Sequence, residues 1–392
     1  MKIGIFDEND TLKSAVTWGP VGAEAVLAQF YPPDISLFLD DMDVTKAREE
    51  AVAYAQTLNE YGVKTFFARD ILAETLIPVD MSFNAVFSIL IKKAEDIKNT
   101  YKTKNHADYK QIIEQLLKLD EERYGKNRAR TLNWKLSLYP FLPLGNLIYA
   151  RDQMNILLSK RVRSHMKKEI RRPEVELYEK VYHQIFGKNN NSIILPEGET
   201  FEGGDAYIHN KTIYVGIGSR TSIGAALHIY KELSEEIKQL DYSFALVMDS
   251  ESEKRSLKDQ MLFMHLDTFS NPVGKNQIAV CLSEGKRRKV SLLEQNNGKV
   301  KIRNTNKSFL EYLFEKGEEL VSIPDNEQQT FGCNFLAINN ETILVPLKTN
   351  NKTIENLRNL GKTVRYVHLD ESTKGFGAAH CMTGQLLRAP AA

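Results

Sequence analysis

Four short segments of this 392-residue chain set titratable side chains beside glycines or apolar runs. They are Asn146-Leu147-Ile148-Tyr149-Ala150-Arg151-Asp152, Phe201-Glu202-Gly203-Gly204-Asp205, Met264-His265-Leu266-Asp267-Thr268 and Gly377-Ala378-Ala379-His380-Cys381-Met382-Thr383. Taken singly, each has an ordinary explanation. Glu-Gly-Gly-Asp is a common turn. A His two residues before an Asp on one strand face can be a structural pair, and a lone cysteine is more often packing than nucleophile. Taken together, Cys381, His265 and Glu202 supply a nucleophile, its base or acid partner and an orienting carboxylate. Asp152 and Asp267 are left over. A thiol protease needs oxyanion donors, whereas two spare carboxylates suit a planar cation whose N–H groups they accept bidentately. Such carboxylates would raise a cysteine pKa. A bound cation would reverse the effect, so substrate itself would favour the thiolate.

The elements that must carry these residues follow one recurring order: two short strands, an amphipathic helix, another strand. Ala206-Tyr207-Ile208-His209, a polar Asn210-Lys211 turn and Thr212-Ile213-Tyr214-Val215-Gly216 read as a hairpin. From about Thr221 the residues Ile223, Ala226, Leu227, Tyr230, Leu233 and Ile237 share one helical face, and Phe244-Ala245-Leu246-Val247-Met248 reads as a buried strand. The order returns with Phe335 to Ile338, the Asn339-Asn340 turn, Thr342 to Val345, a helix from Thr353 closed by Gly361, and the strand Thr363 to His368. A third copy is visible in part, where Ala51, Val52, Ala55 and Leu58 precede Gly62 and the strand Val63 to Phe67. Repeated ββαβ units at irregular spacing predict a closed ring of modules with insertions. The stretch from Met81 to Leu138 breaks the rhythm, with helical spacing at Ile112, Ile113, Leu116, Leu117 and Leu119. It predicts an α-helical insertion at about 78–140 within a single 1–392 catalytic domain. The runs Lys92-Lys93 and Asp120-Glu121-Glu122-Arg123 are expected on its solvated face.

Composition narrows the function class. With 42% hydrophobic residues the chain can build a large core, and 52 basic against 51 acidic residues leave a formal charge of +1. That balance offers no general field for nucleic acid or an anionic membrane. No apolar run of about 18 residues occurs, as a membrane-spanning helix would require. The N-terminal segment Met1 to Asp7 turns acidic too early for a secretory signal. The three cysteines, Cys281, Cys333 and Cys381, are too few and scattered for a disulfide framework or a zinc site. Cys281 and Cys333 lie in apolar runs that read as strands, where inert packing is expected. A cytoplasmic enzyme with reduced thiols is expected, acting on a small molecule, and a homo-oligomer is left open.

At these residues the chain resembles the arginine deiminases of the guanidino-group-modifying superfamily. The resemblance runs from Leu37-Phe38-Leu39-Asp40-Asp41 to Cys381-Met382-Thr383 and rests on all four segments occurring in order. It implies a five-bladed α/β propeller with an α-helical segment before Asn146, a segment that the glycine and inosamine amidinotransferases lack. It further implies Cys381 as nucleophile, His265 as general acid/base oriented by Glu202, and Asp152 and Asp267 as the grip on the guanidinium. Asn146, Arg171 and Arg220 would meet the substrate's α-carboxylate end, with Arg172 beside Arg171 as a competing reading; Asp205 and Phe376 complete the expected site. The implied steps are attack by sulfur on the guanidinium carbon, loss of ammonia, a covalent amidino-cysteine and hydrolysis to citrulline. Neither a metal nor an organic cofactor is called for.

Two departures stand out. The deiminases carry Gly-Arg-Gly-Gly-Gly before the final His-Cys, and this chain has Gly375-Phe376-Gly377-Ala378-Ala379; they continue Cys-Met-Thr with Cys-Pro, and this chain has Gly384-Gln385. An apolar ring in place of a cationic donor cannot pair with a carboxylate. Besides deimination, the sequence therefore leaves room for an amidinotransferase that passes the same amidine to an amine. A catalytically silent arginine-binding protein is a third reading, opposed by the intact Cys, His, Glu and two Asp.

Overall fold

In the computed structural model, residues 3–38, 40–103, 108–138, 143–187, 192–296, 298–346 and 351–390 are described. Met1, Lys2 and Leu39 of the segments read above lie outside them, as do positions 139 and 140 of the helical stretch. The described residues form five sheets, and every sheet contains the same three-strand unit. An antiparallel pair comes first, and its second member then takes a parallel partner. The pairs and third strands are Met154–Leu157, Lys160–Arg163 and Ser192–Ile193; Ala206–His209, Thr212–Ile217 and Ser243–Met248; Ser270–Gly274, Gln277–Cys281 and Glu319–Ile323; and Leu336–Ala337, Thr342–Pro346 and Thr363–Val367. The fifth unit is split, since the C-terminal strand Gly384–Ala389 pairs with Thr11–Thr17, which takes Lys64–Phe67 in parallel. A parallel step cannot be made by a tight turn. Helices supply the crossovers, among them Val44–Glu60, Arg172–Phe186, Ile223–Leu240 and Asn351–Asn359.

The crossover Ile223–Leu240 shows how sequence dictates element. Ser222 caps it by accepting from the Ala225 backbone N–H, and Asp241 ends it at φ 56°. Ala226, Ile229, Leu233 and Ile237 are buried against Ile213, Val215 and Phe244. Burying each Ile or Leu side chain stabilises by about 1.5–3 kcal/mol.

Two features differ from the sequence reading. The sheet containing Ser243–Met248 is extended by a hairpin, Lys289–Asn296 and Lys299–Ser308, which the repeat did not anticipate. The helical stretch, Phe83–Tyr101, Tyr109–Tyr124 and Lys126–Leu138, does not leave Asp120 on a solvated face. Asp120 is fully buried, bonded to Arg69 Nη2 at 2.8 Å, Arg48 Nη2 at 2.7 Å and Asn133 Nδ2 at 2.6 Å. The charge run was misleading because its first member faces the arginines of Val44–Glu60 and Ala68–Thr75, which the linear pattern cannot reveal. Cys333 is also not in a strand but in the turn before Leu336–Ala337, although it is buried as expected.

Candidate active site

The four segments meet at one end of the sheets. Asp152 lies in the turn that leads into Met154–Leu157, and the Arg151 N–H donates to the Cys381 carbonyl at 3.0 Å, so the first and last segments are stitched together. Glu202-Gly203-Gly204-Asp205 leads into Ala206–His209. Its glycines are required by close approach: a Cβ on Gly203 would lie 2.0 Å from the Arg151 carbonyl oxygen, and one on Gly204 would lie 2.6 Å from His265 Nδ1. His265 and Asp267 were expected on one face of a strand. The chain instead turns through a 3-10 segment, Leu266–Thr268, and the two side chains diverge. His265 meets Glu202 and Asp152, while Asp267 meets His380 and Cys381.

All five central residues are buried. His265 Nε2 lies 2.9 Å from Glu202 Oε2, and its Nδ1 faces Asp152 Oδ1 at 3.6 Å. Burial alone would lower the imidazole pKa, but Asp152, the Glu202 hydrogen bond and Asp205 together push it up to about 9. Glu202 has one oxygen on His265 and accepts the Lys167 N–H at 3.1 Å with the other. Burial raises its pKa, yet Arg220, His265 and Arg171 hold it well below the usual carboxylate range. Asp267 Oδ2 is 2.7 Å from His380 Nδ1 and 3.8 Å from Cys381 Sγ. Burial opposes its ionisation, and His380, His265 and Arg151 overcome that and lower its pKa. Burial, Asp267 and Asp152 drive the Cys381 thiol well above its ordinary value. These surroundings hold Cys381 as a protonated thiol.

The remaining expected residues divide into two groups. Arg171 enters the site: its Nη1 is 2.9 Å from Asp152 Oδ2 and 3.7 Å from Glu202 Oε2, and its Nε is 3.0 Å from Glu174 Oε2. Arg172 is half exposed and pairs with Glu169 at 3.5 Å. Arg220 Nη1 lies 3.7 Å from Glu202 Oε1. Asn146 is buried behind the site, its Nδ2 donating to the Ser36 carbonyl at 2.8 Å. Asp205 spends both oxygens on protein, one on the Leu266 N–H at 3.0 Å and one on Thr221 Oγ1 at 2.6 Å. It holds the His265 turn in place.

Phe376 belongs to an apolar cap with Leu37, Met261, Leu262, Met264, Phe331 and Ala378. The rings of Phe376 and Phe331 pack edge to face with centroids 6.2 Å apart. Leu37, Phe331 and Phe376 all sit at left-handed φ, 63°, 64° and 67°. Bulky residues pay strain there, of order 1 kcal/mol or more each, which surrounding packing must offset. Met261 Sδ receives Arg220 Nη2 at 3.4 Å, which links the cap to the site.

Asp152, Glu202 and His265 could reach one metal ion with a ligand atom each. The Arg171 guanidinium already lies between the two carboxylates, and its charge opposes a dication at that point, so the set does not fit a metal. Two residues with defined places here went unread in the sequence. Glu174 could have been suspected from its position three residues after Arg171, at the start of a helix. Asn334 is visible only as a polar break between Cys333 and the apolar run Phe335 to Ile338.

A buried cysteine and histidine with three carboxylates on a mixed α/β framework define an enzyme of the guanidino-group-modifying superfamily. Within it the chain belongs to the arginine deiminase family, whose model matches residues 36–388. It is 26% identical over 398 residues to arginine deiminase 1 of Staphylococcus epidermidis, covering 92% of this chain and 93% of that one. In fold it is similar to a dimethylarginine dimethylaminohydrolase adduct with S-methyl-L-thiocitrulline, with TM-score 0.57, 15% identity, and 95% and 99% of the two chains covered. It is also similar in fold to SxtG, an amidinotransferase from Microseira wollei, with TM-score 0.56, 14% identity, and 99% and 98% covered.

Proposed function

We propose that the protein hydrolyses the guanidinium group of L-arginine or a close analogue to citrulline and ammonia. One observation carries this reading: Asp152 Oδ1 and Asp267 Oδ1 are buried oxygens with no hydrogen-bond donor, in the two carboxylates whose charge bears on Cys381. A buried anionic oxygen without a donor is costly, and a guanidinium offers coplanar N–H groups to both. Arg171 Nη2 and Arg220 Nη1 are buried N–H groups likewise without an acceptor, which supports a carboxylate at the far end of the same substrate.

In the steps that follow, the substrate cation stabilises the Cys381 thiolate, the thiol proton passes to solvent, and sulfur attacks the guanidinium carbon. His265, protonated at neutral pH, gives its proton to the departing nitrogen, which leaves as ammonia. Neutral His265 then takes a proton from water as the water attacks the amidino carbon. The C–S bond breaks, releasing citrulline and regenerating Cys381. No step calls for a metal or organic cofactor.

The architecture proposed for this chemistry is a single cytoplasmic catalytic domain, a ring of five ββαβ modules with helices inserted at about 78–140. Contacts between successive sheets support closure. Ile5 and Leu158 exchange backbone hydrogen bonds at 2.9 and 3.0 Å, and Leu12 N–H donates to the Ile338 carbonyl at 2.8 Å, so the N-terminal segment touches both its neighbours.

The apolar cap favours a second reading, amidino transfer to an amine with release of ornithine. Pure protein incubated with arginine, with and without primary amines, separates the two. Deimination gives citrulline and ammonia regardless of amine, and transfer gives ornithine only with it. Trapped protein should carry an amidino adduct on Cys381, and Cys381→Ser should abolish turnover. An adduct on Cys281 or Cys333, or full activity in the serine variant, would sink the reading.

A further inference from the structure

We propose that Asn334 is a positioning residue for the nucleophile, holding the loop that carries Cys381 and donating a hydrogen bond to its thiolate. This rests on Cys381 being the nucleophile. Asn334 is fully buried, and its amide is used to capacity. Its Oδ1 accepts from the backbone N–H groups of Ala378 at 3.0 Å and Cys381 at 3.2 Å. Its Nδ2 donates to the Asp267 carbonyl at 3.3 Å and to Cys381 Sγ at 3.2 Å. The orientation of the amide follows from this network. Two backbone donors at one end demand the oxygen there, so the nitrogen must face the sulfur.

The backbone of the same residue completes the clamp: its N–H donates to the Phe331 carbonyl at 2.9 Å and its carbonyl accepts from the His380 N–H at 3.3 Å. One residue thereby joins the carbonyl of Asp267, the sulfur and the backbone on both sides of the 378–381 turn. The sulfur otherwise faces Asp267 Oδ2 at 3.8 Å, an anion that resists thiolate formation. A neutral donor at 3.2 Å opposes that repulsion without competing for the carboxylates that a guanidinium needs. The arrangement also uses the Cys381 N–H, the group that an acyl-transfer enzyme leaves free to bind an oxyanion. Attack on a guanidinium carbon places nitrogen, not an oxyanion, on the tetrahedral adduct, so that N–H can serve the loop instead.

Asn334→Asp tests this directly, because it keeps an oxygen for the two backbone donors and replaces the N–H facing sulfur by an anionic oxygen. Alkylation of Cys381 by iodoacetamide, followed by mass spectrometry on the empty full-length protein, reads the thiolate independently of turnover. The pH–rate curve should move up by about one unit, a tenfold loss of thiolate at fixed pH, while kcat with arginine falls by at least about tenfold. Asn334→Ser, which loses the donor without adding charge, should move the curve in the same direction by less, and it carries the test if Asn334→Asp fails to fold. Residues that only hold the fold would lower the Tm and leave the curve in place; unmoved curves in the folded variants overturn the proposal. Turnover by Cys381→Ser is a different failure, that of the nucleophile itself.

Discussion

His265 Nε2 lies 2.9 Å from Glu202 Oε2 while the other ring nitrogen, Nδ1, has no hydrogen-bond partner. One nitrogen is therefore anchored and the other is free to move a proton. Asp152, this hydrogen bond and Asp205 together keep the ring charged, up to about pH 9 in the folded chain against an ordinary 6.5. A proton held more tightly when folded stabilises the fold fully below about pH 6.5, and that contribution is lost as pH rises through 9.

Glu202→Gln retains the shape and removes the charge. The His265 resonance should then titrate about one unit lower, the scale of one charge-assisted hydrogen bond, and the alkaline limb of kcat/KM should move with it. Thermal stability between pH 7 and 9 should decline less steeply than in the wild type. Asp205 and Glu174, both raised to about 7 chiefly by burial, are about half titrated at pH 7 and add to the slope up to about pH 8, so the comparison is cleanest between pH 8 and 9. An unmoved resonance would mean that Asp152 alone sets the ring's charge.

Asp152→Asn and Asp267→Asn should each lower kcat/KM by about 10²–10⁴-fold, because removing one partner of a buried charge pair costs about 3–5 kcal/mol. The two should differ in the free protein. Asp152→Asn leaves the charge of Arg171 on Glu174 and Glu202 alone and should lower the Tm; both variants remove a charge that raises the Cys381 pKa and should speed its alkylation, Asp267→Asn the more, since that carboxylate lies 3.8 Å from the sulfur. A loss below tenfold at both positions would mean that the guanidinium is gripped elsewhere.

Asp120→Ala tests the helical layer. It strips two buried arginines, Arg69 and Arg48, of a shared carboxylate and, among the described residues, leaves Glu24, 3.5 Å from Arg69 Nε, as the remaining ion-pair partner. Denaturant unfolding should show a loss of about 3–5 kcal/mol. A loss below about 1 kcal/mol would mean that water reaches the cluster.

What the sequence made legible was local. The Ala206 hairpin, the helix after Ser222 and the strand Ser243–Met248 stand where periodicity put them, because a period of two or of 3.6 is written into neighbouring residues. The added hairpin Lys289–Asn296 and Lys299–Ser308 was not legible: most of its outer strand is exposed and polar, so it lacks an apolar signature. The site divides the same way. Cys381, His265, Glu202, Asp152 and Asp267 announce themselves as charged or nucleophilic groups among apolar neighbours, and the fold does gather them. Asn334 carries no charge, and its place beside Cys381 depends on two loops 47 residues apart in sequence meeting in space. Asp120 failed in the opposite sense, since a buried ion pair and a solvated charge run look alike until the partner is seen.

Phe376 gives the last prediction. A family arginine at this position suggests that Phe376→Arg would restore a conventional gate, but the ring's surroundings argue otherwise. Phe376 is 8% exposed, and the cap around it is Leu37, Met261, Leu262, Met264, Phe331 and Ala378, with no carboxylate among them. An arginine there must either bury an unpaired charge or swing its head to solvent and abandon the contact with Phe331. Either way the packing that offsets three left-handed backbones is lost, so Phe376→Arg should destabilise the protein by about 2 kcal/mol. Alkylation of Cys381 at fixed pH should become severalfold faster as the cap loosens. Phe376→Leu, which keeps an apolar side chain but not the edge-to-face ring contact, should cost about 1 kcal/mol and leave alkylation near the wild-type rate. An arginine variant that is as stable as the wild type would mean that its guanidinium has found a carboxylate within the site, and that apolar packing is not what keeps this cap shut.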